Sequence, residues 1–441
     1  MFEMSSQRPS IPRGFRDFPP EIMILRKEVL ERIERIFKKY GFDPIDTPSV
    51  EHYEVLAGKY GEEAERKLMW RFKDPWGNRE YALRYDLTVP LARFVAMRKD
   101  LPLPFKRYHI APVWRHEEPQ RGRYREFYQC DVDVVGSPYP EADAEVISVV
   151  GAVFKEFGLS DYVILVNDRR ILRGIFEEEL GLKDPMKVYR AIDKLDKLGE
   201  GGVRKELLEI GMNETSIRRV MEIISVRGPL EESLSALRKK YGGNENFIRG
   251  SEFLIEMKSF LSRSENVIFD MSLVRGLDYY TGPIFEALVR RPKIGSIAGG
   301  GRYDDLIEMF TGYKIPSTGF SIGVERLIEA GIELGIFSAS RRTYVQAYVI
   351  ILDRSEGTLN YAIKLIEELR EQGINTSWDL MRRSQRKQRD YVRKLSIPIT
   401  IFIGREEVEK ETVSLFSTIK KERKEVPRRE AVEAVKAMVQ T

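Results

Sequence analysis

Residues Phe105–Gly136 read FKRYHIAPVWRHEEPQRGRYREFYQCDVDVVG. Two strand-like runs, FKRYHIAPVWRHE and REFYQCDVDVVG, flank the polar stretch EPQRGRY, which predicts an antiparallel hairpin with a long basic loop. In the second run, alternation places Tyr128, Cys130, Val132 and Val134 on one face and Gln129, Asp131 and Asp133 on the other. One face is core. The polar one is either solvated, as antiparallel sheets commonly are, or the lining of a pocket. The loop bears on that choice, because Arg115 and Glu117 close the first run and Arg121, Arg123 and Arg125 lead into Phe127. Guanidinium groups bind phosphates bidentately and a ring can stack on adenine, so this cluster suits a nucleotide. A solvated basic hairpin tip has the same composition.

Upstream, Leu25, Val29, Ile33, Ile36, Phe37 and Tyr40 recur at helical spacing up to Gly41, which predicts an amphipathic helix. FDPIDTPSVE is then short and extended, and EYALRYDLTVP reads as a strand running into the helix LTVPLARFVAMR. Downstream, residues 168–264 are charged and helical in pattern, a predicted insertion. Strand character returns at NVIFDMSLVRGLDYYTGPIFEALV, followed by the glycine cluster IAGGGRYDDL and the strand-to-helix unit STGFSIGVERLIEAGIEL. From Arg341 onward strands and helices alternate: YVQAYVIIL, TLNYAIKLIEELREQG, INTSWDL, the basic SQRKQRDYVRKLS, IPITIFIG and a closing helix. That order predicts a small α/β domain with a mostly parallel sheet.

The chain's 441 residues exceed one ordinary domain, and 32% charged with 42% hydrophobic residues describe a globular protein. The net charge is +4, yet residues 341–441 hold 21 Lys/Arg against 15 Asp/Glu. A polyanionic partner is expected to touch that region. A lone Cys130 excludes an internal disulfide framework and a cysteine zinc cluster, and three histidines, His52, His109 and His116, argue against a histidine-rich metal site. With no long apolar run and no apolar core at its start, the chain is expected in the cytoplasm, away from membranes.

The glycines of IAGGGRYDDL mark a tight turn or a close approach of ligand to backbone. VRGLDYYTG puts an arginine and two tyrosines into a run that is otherwise apolar, and neither GxxxxGK[ST] nor GxGxxG occurs. Taken in order, PRGFRDF, TPSVE, WRHEEPQRGRYREFYQCDVDVVG, LVRGLDYYTGPIFEA, AGGGRYDDL and GFSIGVERL resemble the histidyl-tRNA synthetases, a family of class II aminoacyl-tRNA synthetases, over essentially the whole chain. LRYDLT in place of an LRPEGT-like form, and a start without an N-terminal helical extension, point to the archaeal type.

The resemblance implies an α+β class II catalytic domain over 1–340, a six-stranded antiparallel sheet flanked by helices and interrupted by the helical insertion at 168–264, and an anticodon-binding α/β domain over 341–441. It implies a homodimer that activates L-histidine with ATP, accompanied by magnesium, to histidyl-adenylate, and transfers it to the 3′ end of tRNA(His). No metal held by the protein alone is implied. Asp86 and Thr88 would hold the substrate ammonium. Gln129, Asp133, Tyr279 and Tyr280 would surround the histidine over the Gly299–Gly301 floor. Arg115 and Arg275 would be catalytic, clamping the α-phosphate near the substrate carboxylate. Glu117, Arg123, Phe127 and Arg326 would hold ATP, and Gln120, Arg121 and Arg123 would meet the tRNA acceptor end. The resemblance gives Asp131 no role. SQRKQRDYVRKLS replaces the family's usual alanine-rich helix, so no anticodon-contacting residue is carried over. A regulatory paralogue that senses histidine or tRNA without aminoacylation is the alternative, although such proteins typically lose the arginine segment and the anticodon domain, and both are present here.

Overall fold

The computed structural model describes residues 9–60, 64–98, 100–274, 279–292 and 294–439. The chain divides into two compact units, Met1–Asp17 with Val29–Phe337, and Phe18–Glu28 with Ser338–Thr441.

The first unit is organised by the hairpin. Strands β1 (Phe105–Trp114) and β2 (Glu126–Val135) pair along their whole length, with Arg107 opposite Asp133, His109 opposite Asp131 and Ala111 opposite Gln129. Strands β3 (Tyr162–Asp168), β4 (Pro283–Val289), β5 (Ala298–Arg302) and β6 (Ser317–Gly323) complete an antiparallel run in the order β1-β2-β6-β5-β4-β3. This is the six-stranded core of the class II fold. Three short strands extend it to nine: Asp43–Pro44 lies parallel to β1, Val267–Asp270 parallel to β3, and Arg227–Pro229 pairs beyond Val267–Asp270. The last of these belongs to the 168–264 insertion, which is otherwise helical and is thus stitched into the sheet rather than appended as helices alone.

Helix Pro140–Glu156 buries Val146, Ile147, Val149, Val150, Val153 and Phe154 in the core of this unit. Proline begins it, where the missing N–H costs nothing, and Glu141 and Asp143 stand in its first turn. A buried arginine fixes this end. Arg302, at the end of β5, pairs with Asp143 and donates from Nη1 to the Ser137 carbonyl (2.8 Å) and from Nη2 to the Tyr139 carbonyl (3.2 Å). Burial pushes the Asp143 carboxyl up, against the pull of Arg302.

The second unit carries β7 (Ala347–Ile351), β8 (Thr376–Trp378), β9 (Ile399–Ile403), β10 (Thr412–Ser417) and β11 (Glu422–Pro427), in the order β8-β7-β9-β10-β11. The first three are parallel and the last two antiparallel, so the sheet is mixed. The hairpin β10–β11 leaves little apolar signal in the sequence, because its outer strand, ERKEVP, buries only Val426 and otherwise exposes charge, as edge strands do. Helix Glu356–Glu371 opens on Ser355, whose hydroxyl accepts from the Thr358 N–H, and packs Leu365, Ile366 and Leu369 against Val349, Ile399 and Ile401. The basic helix Gln385–Leu395 buries Gln388 and Val392 and leaves Arg386, Lys387, Arg389, Arg393 and Lys394 exposed. Among the described residues no helix is long and apolar enough to cross a membrane.

The Arg302–Asp143 pair yields a direct test. Arg302→Ala should lower the unfolding free energy by about 3–5 kcal/mol, because it leaves a buried carboxyl without its cation. Arg302→Ala/Asp143→Ala should lose less than Arg302→Ala alone. Urea denaturation of the natural protein, Arg302→Ala, Asp143→Ala and the double variant measures this, and additive losses would contradict the pairing.

Candidate active site

A cavity of about 320 Å³ opens on the polar face of the antiparallel sheet. Its floor is glycine. Gly299 and Gly300 of β5 both line it, but for different reasons. A Cβ on Gly300 would run into the backbone of β6, and one on Gly301 would come within 2.6 Å of the Pro283 carbonyl oxygen and 2.9 Å of the Tyr280 ring. At Gly299 a Cβ would meet nothing closer than the Phe285 carbonyl oxygen at 3.7 Å. Two of the three glycines are therefore required by close packing, and Gly299 leaves room above the floor.

One wall comes from the turn before helix Thr88–Ala96, where Asp86 is buried. Its carboxyl accepts from the hydroxyls of Tyr60 (2.9 Å) and Tyr279 (3.1 Å) and from the Val89 N–H (3.0 Å). Burial raises its pKa in spite of those donors and of nearby Arg115. A cation entering the cavity would relieve that penalty. Tyr279 and Tyr280 meet edge to face at 4.9 Å, and burial raises both phenols.

The hairpin supplies the other wall. The Arg115 guanidinium sits 4.4 Å from the centre of the Tyr85 ring and 5.2 Å from that of Phe127, and its Nε donates to the Tyr85 carbonyl at 3.1 Å. Burial opposes its charge, but Tyr85, Glu117 and Asp86 outweigh that and raise its pKa. Arg123 pairs with Glu117 at 3.0 Å. From helix Val324–Glu333, Arg326 donates from Nε to the Gly122 carbonyl (3.0 Å) and from Nη1 to the Ser296 carbonyl (2.6 Å), while Glu329 accepts from the Tyr124 hydroxyl (2.9 Å). The basic loop is thus tied down at several points rather than solvated throughout. An anion entering here meets fixed cations on one side and aromatic faces on the other.

Asp86, Thr88, Arg115, Glu117, Arg123, Phe127, Gln129, Tyr279, Tyr280 and Arg326 all line this one cavity. Asp133 does not. It is buried below the lining, paired with Nη2 of Arg107 at 2.7 Å and hydrogen-bonded by the Tyr303 hydroxyl. Gln120 and Arg121 stand at the hairpin tip outside the lining, with Arg121 held by Glu333 at 2.5 Å. Arg275 lies outside the described residues. Sequence reasoning overlooked Glu286, Ser321 and Glu325, which also face the cavity. A lone glutamate inside PIFEALV was the available signal for Glu286.

The histidyl-tRNA synthetase family profile matches residues 14–327, and an anticodon binding domain profile matches 346–438. The chain belongs to the histidyl-tRNA synthetase family. It is 56% identical to the histidine–tRNA ligase of Aeropyrum pernix over 436 residues, covering 99% of this chain and 100% of that one. It is 55% identical to the Korarchaeum cryptofilum histidine–tRNA ligase over 92% of this chain and 94% of that one. The archaeal type expected from LRYDLT agrees with both. The crystal structure of histidyl-tRNA synthetase from Nostoc sp. superposes with a TM-score of 0.82 at 30% identity, covering 98% of this chain and 99% of that one.

The floor makes a prediction. Gly299→Ala should leave the melting temperature nearly unchanged. It should raise the KM of the amino-acid substrate roughly 5- to 100-fold, the equivalent of an overpacking cost of about 1–3 kcal/mol. Thermal melts and substrate titrations on the same preparation check both parts.

Proposed function

We propose that this chain is a histidine–tRNA ligase whose two half-reactions share the cavity over Gly299. The observation that carries the reading is the presence of a buried carboxyl, Asp86, and a half-buried guanidinium, Arg115, in one cavity. An α-amino acid needs both poles. Asp86 and Thr88 would take the ammonium, and Arg115 would hold the carboxylate close to the α-phosphate of ATP. Phe127 and Arg326 would enclose the adenine, with Arg123 and Glu117 toward the distal phosphates. Magnesium would enter with the triphosphate, and the cavity-lining carboxylates Glu117, Glu286 and Glu325 offer the oxygen donors such a hard cation takes.

The substrate carboxylate is itself the nucleophile. Its oxygen forms a bond to the α-phosphorus while the bond to the pyrophosphate oxygen breaks, and no general base is required. Negative charge grows on the α-phosphate, where Arg115 and Arg275 would already stand, so little reorganisation is needed as the bond forms. A ribose hydroxyl at the tRNA 3′ end then attacks the carbonyl carbon, and AMP leaves. Gln129, Tyr279 and Tyr280 would face the imidazole, with Asp133 acting from below. An apolar amino acid would leave such buried polar groups unpaired, which gives discrimination without editing.

The domain reading assigns catalysis to 1–340 and anticodon binding to 341–441, where the exposed cations of helix Gln385–Leu395 suit a polyanion. Gln120 and Arg121 at the hairpin tip suit the acceptor end. The working form is a cytoplasmic homodimer. ATP–pyrophosphate exchange run with each of the twenty amino acids tests the central step. Histidine alone should support exchange, and Asp86→Asn should raise the histidine KM far more than the ATP KM. Exchange with another amino acid, or none with histidine, would contradict the assignment.

A further inference from the structure

Asp131 lies one row above Asp133 on β2 and is 2% exposed. Its row runs from His109 on β1 through Asp131 to Ser321 on β6 and Gly299 on β5, and the last two line the cavity. The Ser321 hydroxyl, on the residue directly opposite Asp131 in the sheet register, favours the ionised Asp131 carboxyl and accepts from Nε2 of Gln129 at 2.6 Å. The other end of that amide, Oε1 of Gln129, is buried and has no hydrogen-bond partner, and neither has Oδ1 of Asp131. A buried acceptor without a partner beside a ligand cavity is costly unless the ligand brings a donor.

We infer that Asp131 is a positioning residue for the amino-acid substrate: through Ser321 it fixes which end of the Gln129 amide faces the cavity. This rests on the histidine–tRNA ligase reading and extends it. When Asp131 is ionised, Ser321 donates its proton to the carboxylate and accepts from Nε2 of Gln129, so Oε1 is presented to an N–H of the substrate. When Asp131 is protonated, it donates to Oγ of Ser321. The serine proton then turns to Oε1 of Gln129, and the amide presents N–H groups where the substrate also has N–H groups. Binding weakens.

The surroundings place this change near neutral pH. The carboxyl is faced by Arg107 and His109 from β1, by Asp133 on its own strand, by Ser321 from β6 and by Asp86 from the turn before helix Thr88–Ala96. His109 adds no charge, because burial, with Arg107 and Arg84, pushes its pKa down to about 3. Arg107 is already paired with Asp133. Burial, reinforced by Asp133 and Asp86 against the pull of Arg107, pushes Asp131 up to about 7. The acceptor-presenting form therefore prevails above that value and is lost below it.

The test compares the histidine KM of Asp131→Asn with that of the natural protein in pyrophosphate exchange from pH 6 to 8.5. Asparagine cannot ionise and holds the protonated pattern at every pH. The imidazole of free histidine also titrates in this range, identically for both proteins. The ratio of the two KM values should be about tenfold at pH 8.5, the scale of one buried hydrogen bond, and should fall toward one at pH 6, with kcat and the ATP KM little changed. A ratio that is flat with pH, whether at one or at a raised value, in a protein that still exchanges with histidine would overturn the inference and leave the ligase reading intact. A natural protein without histidine-dependent exchange would overturn both. Should Asp131→Asn fail to fold, Ser321→Ala removes the same connection and is held to the same ratio.

Discussion

A single guanidinium buried in the middle of the sheet acts on both aspartates of β2. Arg107 is wholly inaccessible, lies opposite Asp133 on the paired strand, and donates to the Leu87 carbonyl at 3.1 Å. It thereby joins β1, β2 and the turn that carries Asp86. Two aspartates on β2 draw on this one cation, and an isolated charge in such surroundings is costly. One carboxyl can be ionised against Arg107. The other is left to hold its proton or to find relief from a ligand.

The same sheet explains why the site is polar. Antiparallel pairing brings side chains from adjacent strands into rows, so the polar residues of β2 stand beside Ser321 on β6 and the glycines of β5. Gly319, opposite Asp133, has no room for a side chain because that carboxyl occupies the space. Gly299, one row up, has room. The cavity floor is thus a packed layer with one gap in it, and the tethered hairpin loop and helix Val324–Glu333 border the cavity on another side.

Much of this was legible because the governing patterns are local. Alternation in REFYQCDVDVVG separated the two faces of β2, and helical spacing from Leu25 to Tyr40 gave the helix Pro20–Lys39, which ends before Gly41 at φ +72°. Motif order carried the family. What was not legible depended on partners distant in sequence. Alternation put Gln129, Asp131 and Asp133 on one face but could not show that Arg107 and Tyr303 draw Asp133 below the cavity, or that Ser321, opposite Asp131, takes the Gln129 amide. The charged edge strand ERKEVP hid a hairpin for the opposite reason, since its pairing leaves almost no apolar trace.

The account turns on one cation serving two buried carboxyls, and the protonation of Asp131 measures that directly. Infrared difference spectra of the ligand-free protein across pH 5 to 9, compared with Asp131→Asn, follow the carboxyl C=O band itself. The account predicts a protonated carboxyl that ionises with a midpoint near 7 and is absent from Asp131→Asn. A spectrum in which every aspartate is already ionised at pH 5 would contradict it.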